Sequence, residues 1–218
     1  AENEEERAEY FRVIKFVKAI QKVAAIKKRD LFTGYAQNDV QEFLLFLIDG
    51  FHMALAREVD MEITGVVEND KDKLAQVCYS MMKTMYKKEY SEFLNMFYGI
   101  FVSQIKSKES SYKNILPEPF FNISVPISPK KTLLDCFDLF TSVEELGDDN
   151  KIFNEKTNKK ENATKQILFW SLPDILVITL KRFLNNGRKE KSLVDFPIND
   201  LDLSKYVIGY DRHSYVYD

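Results

Sequence analysis

The sequence predicts an α+β fold, a helical lobe followed by a mostly antiparallel β lobe. Two observations carry this. Apolar residues recur at helical spacing as far as about residue 96, and from Gly99 the pattern changes to strand alternation. The 218 residues are 45% hydrophobic and 13% aromatic, enough to bury a core in one domain, or in one domain of several lobes.

The elements follow in order. Residues 1–29 read as a long helix: Phe11, Ile14, Phe16, Ile20, Val23 and Ala24 give a broad apolar face, and Lys27, Lys28 and Arg29 suit the negative end of its dipole. A loop to Asn38 feeds a second helix running to about Leu55. Its buried face holds Val40, Phe43, Leu44, Leu47 and Phe51, with Asp39 as N-cap and Glu42 at capping-box spacing. Residues 58–72 are acidic and read as a connection. Residues 73–96 are helical again, with a break near Lys88. FVSQI and FFNISVPI then alternate as half-buried strands, and residues 132–140 form a short helix capped near Thr132 or Ser128. Residues 147–162 are polar and turn-rich. Residues 165–171 and 175–183 are strands, and the almost unbroken apolar run ILVITL is expected to be a central strand. Asn185, Asn186 and Gly187 mark a turn, and Trp170 is expected in the core.

Composition narrows the function classes. A net charge of −3 makes nucleic acid a poor partner. No apolar run approaches the roughly 20 residues that span a bilayer, so no membrane contact is expected. The acidic start AENEEER has none of the basic-then-apolar character of a signal peptide. Two cysteines, Cys78 and Cys136, make no disulfide framework and suit a reducing compartment, the cytoplasm or nucleus.

The stretch FTGYAQNDVQEFLLFLIDGFH, residues 32–52, resembles the QQDAQEFL box of the ubiquitin-specific proteases, the papain-like cysteine deubiquitinases. Further segments resemble that family in its own order: FYGIFVSQIKS from Phe97, EPFFNISVPI from Glu118, TLLDCFDLFTSVEEL from Thr132, FWSLPDILVITLKRF from Phe169 and VDFPINDLDLSKYV from Val194. The resemblance implies a hand: residues 1–98 as a helical thumb, 99–170 as antiparallel β fingers and 171–218 as part of the palm. It implies hydrolysis of the isopeptide bond after the C-terminal glycine of ubiquitin, by thiolate attack through a thioester. Its partners are the ubiquitin C-terminal tail and ubiquitinated proteins, and no cofactor is expected.

Neither the family's GNTCYMNS-like nucleophile box nor its GGHYTA-like base box has a match, and the third catalytic residue is also absent. No catalytic residue is therefore expected in this chain, which reads as the middle of a longer domain. Cys78 or Cys136 paired with His52 or His213 is the alternative. Both cysteines sit in apolar helical patterns and read as structural, His52 as a surface or packing residue, and His213 as part of a loop. A catalytically inactive ubiquitin-binding or scaffold module of the same fold is the second functional reading.

The resemblance puts Gln37, Asp39 and Gln41, with Arg182 and Phe183, against the ubiquitin tail. A basic, extended tail needs carboxylate and amide partners. The residues alone leave other roles open: Asp39 as a helix cap, Phe183 as strand-end packing, and Lys181 and Arg182 as outward-facing charges. Tyr206, Tyr210, Tyr215 and Tyr217 can be packing or contact residues. Many family members hold zinc at the fingertips through two CxxC pairs. Here those positions read Ser107, Ser110, Asn154 and Thr157, which supply no thiolate or imidazole, so no metal is expected. The fingers are then expected to be held by strand pairing alone, with mobile tips at residues 106–114 and 154–162. An exposed ILVITL edge is an aggregation hazard, so a further segment, a second chain or a partner is expected to complete the palm sheet.

Overall fold

The computed structural model describes residues 2–129, 131–184, 186–210 and 215–218. The chain divides into two compact units, residues 1–51 and 52–218. The first holds helix α1 (Glu2–Ile26), a 3-10 turn (Asp30–Phe32) and most of helix α2 (Val40–Leu55). Its core is small: Ala24, Phe32 and Phe46, with Ile20 and Phe43 against them. The Phe32 ring centroid lies 5.0 Å from that of Phe46 and 5.6 Å from that of Phe43.

Helix α1 stops at Ile26, three residues before the expected end. Lys28 takes a left-handed φ of 54°. The Lys28 N–H then donates to the Ala25 carbonyl at 3.2 Å and the Arg29 N–H to the Ala24 carbonyl at 2.8 Å, a Schellman closure without glycine. Lys27, Lys28 and Arg29 therefore follow the last turn instead of forming it.

The second unit adds α3 (Asp70–Lys88), α4 (Glu92–Phe97), β1 (Gly99–Ser107), β2 (Lys113–Phe120), β3 (Asn122–Val125), α5 (Leu133–Phe140) and β4 (Glu144–Leu146). It continues with β5 (Ile152–Asn154), β6 (Lys159–Glu161), β7 (Ala163–Ser171), β8 (Val177–Leu180), β9 (Leu201–Asp202) and β10 (Val216–Tyr217). Helix α3 starts earlier than its apolar pattern suggests. Asn69 Oδ1 accepts the Asp72 N–H at 3.0 Å and Asp72 Oδ2 accepts the Asn69 N–H at 3.1 Å, a capping box inside the acidic run. The break after Lys88 is present, and Arg57 and Tyr90 exchange backbone bonds of 2.9 and 2.7 Å beside it.

The main sheet runs β2-β1-β7-β4, all antiparallel. Strand β2 carries Pro117 and Pro119, which its edge position tolerates. Strand β7 is central and buries a different core on each face. Phe169 packs with Phe120, Ile123, Leu133, Phe137, Leu203 and Tyr206. Trp170, next in sequence, packs with Ala75, Cys78, Ile100 and Val102.

The expected central strand ILVITL is not central. Among the described residues, strand β8 pairs in parallel with β3 alone, in a two-stranded sheet, and its side chains are half-buried. Pro173 and Asp174 precede it, and its ladder with β3 runs only from Val177 to Leu180. Its partner lies far back in the sequence, as a parallel crossover requires. Among the described residues no helix is long and apolar enough to cross a membrane.

Gly209 shows how tightly the last segment seats. The Ile208 N–H donates to the Phe169 carbonyl at 2.8 Å, and a Cβ on Gly209 would overlap the Trp170 carbonyl. Gly209→Ala is expected to destabilise the fold by about 1–3 kcal/mol, read as a lower midpoint in urea unfolding. An unchanged midpoint contradicts this seating.

Candidate functional site

In the first unit the amide-rich loop is shaped by its own side chains. Asn38 Nδ2 donates to the Leu31 carbonyl at 2.7 Å and the Ala36 carbonyl at 2.9 Å, and Gln21 Nε2 donates to the Gly34 carbonyl at 3.3 Å. Buried Phe32 anchors the loop from below. Asp39 does cap α2: its Oδ1 accepts the N–H groups of Gln41 at 2.8 Å and Glu42 at 3.2 Å. Both bonds fall on Oδ1, so capping leaves Oδ2 able to accept a charged donor. Gln37 and Asp39 are exposed and Gln41 is half-buried. The three therefore sit on one loop-to-helix junction. Tyr35 sits in the same segment and is strongly exposed; so is Val40, which with exposed Phe51 departs from the buried face expected of α2.

Arg182 and Phe183 lie in the second unit, and their roles differ. The Arg182 guanidinium donates through Nη1 to the carbonyls of Ser192 at 2.8 Å and Glu190 at 3.2 Å, while the Glu190 N–H returns a bond to the Arg182 carbonyl at 2.6 Å. This cation shapes a loop. Phe183 is 74% exposed, so it is not strand-end core, and the Lys189 ammonium lies 5.4 Å from its ring centroid. A cleft beside it is lined by Pro126, Ile127, Lys181, Leu184 and Glu190. The turn after it includes Gly187 at φ 77°; Asn185 lies outside the described residues.

Both cysteines lie in the core. Cys78 is fully buried, and burial pushes its thiol up to about 12. Cys136 is fully buried in α5, and its Sγ accepts the Ser128 N–H at 3.3 Å. That settles the end of α5: Thr132 Oγ1 accepts the Asp135 N–H at 3.1 Å as the cap, and Ser128 bonds to the sulfur instead. His52 is buried, not on the surface, and shares a 2.7 Å hydrogen bond with buried Ser91. His213 lies outside the described residues.

Of the tyrosines, Tyr206 and Tyr215 are core residues. The Tyr206 hydroxyl lies 2.8 Å from both Asp138 Oδ1 and the Leu134 carbonyl, and burial is the main reason its pKa is pushed up to about 12. The Tyr217 hydroxyl donates to the Pro173 carbonyl at 2.7 Å, and exposed Tyr210 bonds to Asp72.

The positions that resemble zinc ligands do converge, but on a carboxylate. Glu161, only 3% exposed, accepts from Ser107 Oγ and Ser110 Oγ on Oε2, both at 2.6 Å. Its Oε1 accepts from Thr157 Oγ1 at 2.6 Å and Asn154 Nδ2 at 2.9 Å. Two serines, a threonine and an amide offer none of the donors tetrahedral zinc takes, so this set does not fit that metal. Among the described residues no cluster of three or more His, Cys, Asp or Glu side chains could hold a metal ion. These tips are also tied by more than strand pairing. Glu161 was not singled out from the sequence. The available signal was weak: Glu161 is one of three carboxylates in the two tip segments, with Glu109 and Glu155, among polar side chains that needed an acceptor.

A model of the ubiquitin carboxyl-terminal hydrolase family matches residues 4–217. Ubiquitin carboxyl-terminal hydrolase 2 of Gallus gallus is 33% identical over 191 residues, which cover 84% of this chain and 53% of that protein. The Homo sapiens protein of the same name is 32% identical over 195 residues, 84% of this chain and 31% of its own length. Ubiquitin carboxyl-terminal hydrolase 4 of Vanderwaltozyma polyspora is 33% identical over 193 residues, 85% of this chain and 22% of its own length. The chain thus spans about half the length of these relatives, or less. The matched span runs from the N-terminal helix to the last strand, through the capped loop and the α+β unit. The chain belongs to the ubiquitin carboxyl-terminal hydrolase family.

The buried carboxylate carries a pH dependence. The hydroxyl bonds from Ser107, Ser110 and Thr157 lower the Glu161 pKa from 4.5 to about 2. A depressed carboxyl contributes stability that is fully present above about pH 4.5 and is lost as pH falls through about 2. The stability gap between the unaltered protein and Glu161→Gln, measured by urea unfolding, is expected to narrow steadily below pH 4.5. A gap of constant size across that range contradicts the assignment.

Proposed function

We propose that the chain is the larger part of a deubiquitinase domain that hydrolyses the isopeptide bond after the ubiquitin C-terminal glycine by a thiol mechanism. The observation that carries this is the family match over residues 4–217 together with the loop-to-helix junction at Gln37, Asp39 and Gln41, where Gln37 and Asp39 face solvent. Asp39 offers a carboxylate oxygen to a basic tail while it caps α2. Gln37 and Gln41 offer amides to the backbone of an extended peptide. Phe183 offers an exposed ring, and Arg182 acts by holding the loop at residues 190–192.

In this reading the nucleophile and base are none of Cys78, Cys136 and His52, because all three are buried in structural roles. The substrates are ubiquitinated proteins, and the setting is the cytoplasm or nucleus. The sheet at β8 is completed by a further segment, chain or partner. It enters along the apolar cleft lined by Ile175, Ile178, Leu180, Phe196, Ile198 and Leu201.

The test is the intact mass of the full-length protein after incubation with ubiquitin bearing a C-terminal thiol-reactive group. The expected result is an adduct of one ubiquitin, mapped by peptide analysis to a cysteine other than Cys78 and Cys136. No adduct, or an adduct on either of those two, overturns the proposal.

A further inference from the structure

The hairpin tips of the second unit present a puzzle of attachment. Strands β5 and β6 form their own two-stranded sheet, with no ladder to the main sheet among the described residues. Besides one backbone bond, from the Lys108 N–H to the Asn162 carbonyl at 2.9 Å, two carboxylates bridge the gap in opposite directions. From the β1–β2 turn, Glu109 Oε1 accepts the Asn162 N–H at 2.9 Å and Asn162 Nδ2 at 2.8 Å. From the end of β6, Glu161 reaches back to Ser107 and Ser110 on that turn, and also to Asn154 and Thr157 on its own hairpin.

The direction of each proton follows from valence. Ser107 Oγ accepts the N–H groups of Glu109 at 3.0 Å and Ser110 at 3.1 Å, so both its lone pairs are engaged and its one proton is left for Glu161. Ser110 Oγ accepts the Tyr112 N–H at 3.3 Å and one Asn154 Nδ2 proton at 3.1 Å, with the same consequence. Asn154 Oδ1 accepts the Lys156 N–H at 3.0 Å, which fixes its amide with the NH2 toward the carboxylate. The hydroxyls and amide thus organise the backbone of both turns, and all aim donors at one buried point.

We propose that Ser107, Ser110, Asn154 and Thr157 form a receptor for one carboxylate, that Glu161 fills it, and that this internal anion closes the tip without a metal. Four donors on two oxygens match the acceptor capacity of an ionised carboxylate. The bonds are charge-assisted and end on a residue that is itself buried, where such bonds are strong and an unmade one is costly. A neutral side chain of the same shape leaves several donors unpaired.

The test uses chemical rescue in the full-length protein. Glu161→Ala deletes an acetate-sized group and leaves its receptor in place. Hydrogen exchange at residues 107–112 and 154–162 is expected to quicken roughly ten- to hundredfold in this variant and in Glu161→Gln. Acetate, replacing chloride at equal ionic strength, is expected to restore protection to Glu161→Ala and to leave the unaltered protein and Glu161→Gln unmoved. Should Glu161→Ala fail to fold, Ser110→Ala removes one donor and is expected to loosen both segments to a smaller degree. Neither zinc nor a strong chelator is expected to shift the melting temperature of the unaltered protein. The proposal is overturned if acetate protects no better than chloride, if exchange quickens only in the β5–β6 hairpin, or if the melting temperature depends on zinc.

Discussion

Residues 52–218 depend on strand β7 being covered on both faces. Phe169 and Trp170 are neighbours in sequence, so on a strand they point to opposite sides. Each is almost wholly buried, Phe169 at 0% and Trp170 at 4% exposure, and each anchors a separate apolar cluster. One cluster draws α5, β3 and the segment from Leu201 to Tyr206 onto one face. The other draws α3 onto the opposite face through Ala75 and Cys78. Losing either aromatic side chain leaves a cavity that close-packed neighbours fill only partly. The β1–β7 ladder shifts register between Ile100, paired with Ser171, and Phe101, paired with Phe169, so that Trp170 is the extra residue on β7.

What projects from this framework is held by polar side chains instead of apolar burial. The β8 strand end is extended by a loop that Arg182 ties down with two carbonyl bonds, and that rigidity leaves Phe183 in solvent. The tip hairpins, too small to own a core, are tied by carboxylates. The amide-rich loop of the first unit is clamped by Asn38 from within, so Gln37 and Asp39 face outward from a shaped backbone. At the β8 end and in the loop, Arg182 and Asn38 fix the backbone while Phe183 and Gln37 stay exposed, and Asp39 does both, capping α2 through Oδ1. Pre-organised binding surfaces have this property, because less ordering remains to be done when the ligand arrives.

Much of this was legible in the sequence where the signal was local. The capped start of α2, the break after Lys88, the Thr132 cap and strand β7 all rest on neighbouring residues. Pairings and polar networks were not legible in the same way. Strand β2 hides behind Pro117 and Pro119, which argue against a strand until its edge position is known. The apolar run of β8 gives hydrophobicity but not a partner, and the partner is parallel and distant. The α3 capping box sits in an acidic stretch that reads equally well as a connection. At the candidate site, the amide-rich loop could be singled out because its motif is contiguous. Glu161 was missed because its significance comes from four residues drawn from two hairpins.

In the proposed function, the junction that carries exposed Gln37 and Asp39 and half-buried Gln41 receives the ubiquitin tail. The most direct measurement is calorimetric titration of the full-length protein with intact ubiquitin and with ubiquitin lacking its C-terminal tail, repeated on Asp39→Asn. Asn also caps helices well, so this variant removes the charge and keeps the fold. The account predicts that intact ubiquitin binds, that removing the tail abolishes the heat of binding, and that Asp39→Asn weakens intact ubiquitin by roughly tenfold or more. Equal affinity for the two forms of ubiquitin, or an unchanged affinity in Asp39→Asn, would contradict it.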